Sequence, residues 1–160
     1  MAGLIVTAIV LGFGTLGKAN AVAVNGAIIG EIDRNQNTVV SFKLQNNYGK
    51  ELKNVVIWIP STWTIAGPGH NKLIRTHRYG PWSTVVRWNG SSLRRGYNAF
   101  WFKSTTGTQG IPADKFEKFP LTLKNPTNVK TYSGYKAKIY WQADDGKGNY
   151  YRGTDWLVIK

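Results

Sequence analysis

Apolar residues are distributed in two different ways along the chain. From Ala2 to Gly30 they run almost unbroken, with Lys18 the only ionised side chain, and the chain then passes without a flexible linker into a lysine-rich alternating pattern. Thr38–Gln45 sets Val40, Phe42 and Leu44 on one face and Ser41, Lys43 and Gln45 on the other, the period of a strand half buried in a sheet. Asn46-Asn47-Tyr48-Gly49-Lys50 makes a turn. Asn54–Ile59 carries Val55, Ile57 and Ile59 against Val56 and Trp58 and is stopped by Pro60, which predicts an inner strand. Leu73–Arg78, Trp82–Trp88, Tyr97–Lys103, Phe119–Lys124, Tyr135–Gln142 and Tyr150–Ile159 are further strand candidates, each bounded by Gly, Pro, Asn or Asp clusters.

Short strands without a later helical period predict a mainly β chain: a single immunoglobulin-like antiparallel β-sandwich over residues 31–160, preceded by an apolar N-terminal helix within residues 1–30. Asp144-Asp145-Gly146-Lys147-Gly148 predicts a closing hairpin, since glycine accepts the positive φ of primed turns. Tyr135, Ala137, Ile139 and Trp141 face inward in this pattern, as do Trp82, Thr84, Val86 and Trp88 opposite Arg87.

An apolar terminus needs a cover, because chain ends are otherwise the most solvated part of a domain. As a secretory signal, Ala2–Leu16 is an apolar core before Ala19-Asn20-Ala21, a small-residue cleavage sequence. As a membrane span, Ala2–Gly17 falls short of the roughly 20 residues a bilayer core needs, although passing Lys18 and continuing to Ile29 would give enough length. As an assembly helix it buries its surface against identical copies, where Gly3, Gly12, Gly14 and Gly17 allow close approach. Assembly or anchoring is favoured over a cleaved signal.

Charge and chemistry narrow the function. The chain has 21 Lys and Arg against eight Asp and Glu, a formal +13, which favours anionic partners such as acidic polysaccharide, nucleic acid or a membrane surface. No cysteine is present, so disulfides and thiolate metal ligands are excluded. His70 and His77 have no accompanying serine, cysteine or acid motif, so no triad can be placed and the chain is not expected to be an enzyme. Two histidines without a spaced third ligand do not make a metal site, and Asp144, Asp145 and Asp155 lack the spacing of a calcium loop. No cofactor is expected. Arg75, Arg78, Arg87, Arg94 and Arg95 fall within twenty-one residues, near Tyr79, Trp82, Trp88 and Tyr97, and form a candidate anion-binding set. Aromatic platforms for polysaccharide would require Trp63 or Trp101 to be exposed. Asn89-Gly90-Ser91 is a candidate glycosylation sequon in an exported protein.

An apolar N-terminal segment feeding directly into one β-sandwich, whose first strand reads Ser-Phe-Lys-Leu-Gln-Asn-Asn, resembles the archaeal type IV pilins and related flagellin subunits. That resemblance implies an extracellular cell-surface filament, inserted in the membrane before assembly and homopolymerised through the N-terminal helix. Leu4, Ile5, Val6, Ile9, Val10, Leu11, Phe13 and Leu16 would pack the filament core, the sandwich would face outward, and Asn89 would be an outer glycan site. Two alternatives remain open. Val22, Val24 and Ile28 alternate with Ala23, Asn25 and Ile29, so Ala21–Ile29 could be a donor strand completing the next subunit, which resembles the strand-exchanging matrix filaments of biofilms. The other is a secreted monomeric module binding carbohydrate or nucleic acid behind a cleaved signal peptide.

Overall fold

A computed structural model describes residues 23–65, 73–87, 94–105, 109–126 and 132–160, with the backbone alone over 64–65, 73–77 and 86–87. In chain order its strands are β1 (Val24–Ile29), β2 (Thr38–Asn46), β3 (Asn54–Pro60), β4 (Thr64–Ile65) and β5 (Leu73–His77). There follow β6 (Gly80–Arg87), β7 (Tyr97–Ser104), β8 (Lys115–Lys124), β9 (Lys136–Asp144) and β10 (Tyr150–Val158), and the described residues contain no helix. They form two antiparallel sheets, one ordered β1-β2-β8-β4 and the other β10-β9-β3-β7-β6-β5.

Alternation in the chain decides which face of each sheet is buried. Val40, Phe42 and Leu44 of β2 meet the inward residues of the other sheet, among them Val55, Ile57 and Ile59 of β3 and Ile139 and Trp141 of β9. Aromatic rings cross the interlayer space. Phe42 lies 6.1 Å from Trp141, and Trp82 stands edge-on to Phe119 at 5.2 Å. Phe102 packs on Phe119 at 4.6 Å. Each such ring removes a large apolar area from water, so these contacts carry much of the drive to hold the layers together.

The inner-strand expectation for Asn54–Ile59 is met: β3 pairs with β7 on one side and β9 on the other. The predicted closing hairpin is the β9–β10 pair, with Gly146 and Gly148 at φ of 74° and 96°. Strand β8 starts four residues earlier than Phe119 suggests, because Lys115–Lys118 inverts the usual pattern. Glu117 is the buried member there, and its carboxylate accepts the backbone N–H groups of Tyr79 (3.1 Å) and Lys118 (2.9 Å).

Val24–Ile29, within the apolar 1–30 segment, is extended and lies in this chain's own four-stranded sheet. It pairs with β2 from Val24↔Asn46 to Ile29↔Ser41. Val24 is buried, Ile28 packs against the core, and Asn25 and Ile29 are exposed. The N-terminal helix and Leu4, Ile5, Val6, Ile9, Val10, Leu11, Phe13, Leu16 and Val22 lie outside the described residues.

Two devices close the side of the sandwich where β1 meets β10. The Asp155 carboxylate accepts the Ile28 N–H at 2.5 Å, and Ile32 forms a parallel bridge with Ile159. Trp141 fills the space between these strands only because two glycines admit it. A Cβ on Gly26 would lie 2.4 Å from Phe42 Cζ and 2.8 Å from Trp141 Cε2, and one on Gly153 would lie 2.5 Å from Trp141 Cζ2.

Two groups give the fold opposite pH limits. The Asn149 side-chain amide, then the backbone N–H groups of Lys147 and Asn149, hold the Asp145 carboxyl below its ordinary range, with burial opposing them. A lowered native pKa contributes stability above the unfolded value of about 3.9 and loses it as pH falls through the native value. Burial, then the neighbouring Tyr48 phenol, pushes Tyr151 up to about 12. Its contribution is complete below the unfolded value of about 10 and is lost as pH rises toward 12. An ultraviolet difference titration should therefore show a late-ionising tyrosine fraction, and Tyr151→Phe should remove the part of it that titrates near pH 12. If every tyrosine titrates near pH 10, the Tyr48–Tyr151 packing is contradicted.

Candidate functional site: an aromatic and cationic sheet face

The alternation that sends Val55, Ile57 and Ile59 inward turns Val56 and Trp58 to the outer face of the six-stranded sheet. Register then assembles an aromatic row around Trp58. Tyr140 of β9 and Ala99 of β7 are its direct neighbours, while Trp101 and Gln142 flank Val56 and Tyr97 lies opposite Pro60. On β10, Arg152 pairs with Gln142, Thr154 with Tyr140 and Trp156 with Lys138.

Arg94 reaches onto this row from the turn before β7. Its guanidinium lies 3.5 Å from the centre of the Tyr140 ring and 6.0 Å from both Trp58 and Tyr97. Trp58 is consequently only 7% exposed, although it sits on an outer face. Lys138 adds a second cation, 5.5 Å from Tyr140 and 5.8 Å from Trp156, whose ring is 45% exposed. Cations over aromatic faces gain about 0.5–2 kcal/mol according to burial. Tyr97 stands edge-on to Tyr140 at 5.3 Å. Burial, then Tyr140, pushes its hydroxyl above the usual tyrosine value, and Arg94 pulls the other way.

A cleft of about 320 Å3 opens here, lined by Trp58, Arg94, Tyr140, Trp141, Gln142, Arg152, Gly153 and Thr154. Arg152 Nε donates to Gln142 Oε1 at 2.8 Å, which orients both side chains across the β9–β10 pair. The indole N–H groups of Trp58 and Trp141 are buried without a hydrogen-bond partner among the described residues. The lining contains two guanidinium groups and no carboxylate or histidine.

The opposite outer face has a different chemistry. Lys43 and Lys118 oppose each other directly on β2 and β8, an arrangement that is mutually repulsive. Lys43 lies 4.5 Å from the Phe116 ring and Arg78 lies 5.5 Å from it, so this second cationic patch sits on the four-stranded sheet.

Of the candidate anion set, the described side chains of Arg78 and Arg94 go to different places. Arg94 joins the aromatic row, Arg78 turns to Phe116 and Tyr79, and Arg95 is exposed. The backbones of Arg75 and Arg87 pair with Trp82 and Ala99. Trp63 is buried and Trp101 half-buried on the outer face. Trp82 is fully buried, as its alternation predicts. Asn89, His70 and Trp88 lie outside the described residues, and the His77 backbone pairs with Gly80. Asp155 bonds across to Ile28 while Asp144 and Asp145 cap their own turn, and among the described residues no three potential ligands of the His, Cys, Asp or Glu type come together.

Sequence reasoning missed Tyr140, Gln142, Arg152 and Thr154 as site residues. The signal was present in the outward halves of two strands, but it needed the β3–β9–β10 register to bring those halves together.

No family model and no curated protein matches the chain. Among solved structures, a non-cellulosomal cohesin from the hyperthermophilic archaeon Archaeoglobus fulgidus is 13% identical, over 84% of this chain and 91% of its own, with a TM-score of 0.45. A DUF4466 family protein from Parabacteroides merdae is 8% identical over 82% of this chain, with a TM-score of 0.39, and the match spans 42% of its length. These two likenesses are too distant to carry an argument about what the chain does.

Proposed function

We propose that the chain is a non-enzymatic structural subunit of an extracellular surface filament, held by its apolar N-terminal segment with an immunoglobulin-like sandwich facing outward. The observation that carries this is the direct passage from an apolar segment into a sandwich whose two sheets already cover each other. Phe42 meets Trp141 and Trp82 meets Phe119 across the layers, so the apolar residues from Leu4 to Leu16 require a cover of their own. A bilayer before assembly and neighbouring copies afterwards would provide it.

The magnitude suffices. Burying on the order of 1,000 Å2 at about 25 cal/mol per Å2 contributes about 25 kcal/mol, against association costs of roughly 4–15 kcal/mol. The pairing of β1 with its own chain's β2 favours this joint over donor-strand exchange, in which Val24 and Ile28 would have to leave their sheet. With a formal charge of +13, subunits repel one another, and cationic outer faces turned to solvent let salt screen that repulsion.

Sedimentation of the full chain without detergent, alongside flotation with lipid vesicles, tests the proposal. Polymers that pellet free of lipid are expected. A lipid-free species of 17.9 kDa would contradict it and point to a monomeric binding module.

A further inference from the structure

We infer that the cleft on the outer face of the six-stranded sheet binds an acidic sugar, a glycan unit bearing a carboxylate or sulfate, with Arg94 and Arg152 as the anion-recognising pair. This inference is independent of filament assembly, since it rests only on residues of β3, β9 and β10 and the turn before β7. Charge selects the ligand's sign: the cleft lining has two guanidinium groups and no carboxylate, and Arg152 makes no ion pair among the described residues. A guanidinium fork matches the paired oxygens of a carboxylate or sulfate, and Arg94 already sits 3.5 Å from the centre of the Tyr140 ring while Gln142 steadies Arg152.

The neutral groups select a polyhydroxylated partner. Thr154 and Gln142 offer hydroxyl and amide groups at the rim. Trp58 lines the cleft from the outer face, and its buried indole N–H lacks an acceptor among the described residues, whereas buried donors are ordinarily satisfied. A cleft of about 320 Å3 is at the small end of ligand sites, the scale of one or two sugar rings. Nucleic acid is disfavoured because single strands bind by stacking bases on open aromatic faces. Here Arg94 covers Tyr140 and Trp58 is buried.

The test measures binding of the full chain to polygalacturonate, with neutral dextran and oligo-dT as comparison ligands at fixed salt. Arg94→Ala and Arg152→Ala should each weaken polygalacturonate binding by about tenfold or more. Arg152→Lys should recover less than half of that loss on a logarithmic scale, because it keeps the charge and loses the fork. Lys43→Ala combined with Lys118→Ala, on the opposite face, should change binding less than about twofold, and the circular dichroism of each variant must match that of the parent. Absence of polygalacturonate binding overturns the inference, as does an equal loss in the opposite-face variant. Oligo-dT bound as tightly, with the same sensitivity to Arg152, would assign the cleft to nucleic acid instead.

Discussion

Replacing Trp82 by alanine is expected to lower the unfolding free energy by about 3–5 kcal/mol, the range for removing a large aromatic side chain from a core. Trp82 is fully buried between the sheets and meets Phe119 edge-on, and Phe119 in turn packs on Phe102, so the vacated space lies at the centre of a ring cluster. At about 2–4 °C per kcal/mol for a chain of this size, the melting temperature should fall by roughly 10 °C. Trp82→Phe separates packing from polarity. The indole N–H has no hydrogen-bond partner among the described residues, so phenylalanine keeps most of the ring contact while discarding an uncompensated donor. Its cost should be under about 2 kcal/mol. Denaturant midpoints of the three proteins decide the matter, and an alanine variant within about 1 kcal/mol of the parent would mean that the ring cluster does not hold the layers together.

Ile9→Asp together with Val10→Asp should abolish assembly while leaving the sandwich folded. An unpaired carboxylate placed in an apolar interface costs several kcal/mol, and two adjacent ones exceed what the remaining apolar contacts can offset. Neither residue belongs to the described sandwich, so the near-ultraviolet circular dichroism of the tryptophan core should not change. The conservative pair Ile9→Leu and Val10→Ile should assemble like the parent. Polymers that persist with both aspartates would contradict a joint made by the apolar segment and return attention to β1 as a donor strand.

How far the fold could be anticipated depended on whether a strand's periodicity is local. Asn54–Ile59 declares itself, because Val55, Ile57 and Ile59 are apolar and Pro60 ends the run. The outer face of the same strand was also legible in Trp58, but its meaning was not, because Tyr140 and Arg94 approach it from strands and turns some 36 to 82 positions later in the chain. Two arginines of the run between residues 75 and 95 show the same limit: nearness along a β chain does not fix nearness in the fold, and Arg78 and Arg94 lie over rings on different sheets. Glu117 hid the start of β8, since a buried carboxylate held by two backbone N–H groups breaks the expected alternation. Gly26 and Gly153 carried no local signal. Each is needed only because Trp141 lies against it, a contact made by tertiary packing.

Electron cryo-microscopy of the protein from its native source, with the intact mass of the same sample, tests the filament account most directly. The account predicts a helical polymer with the segment from Leu4 to Leu16 packed along its axis, the sandwiches outside, and a mass that retains that segment. A soluble monomer whose mass begins near Val22 would contradict it.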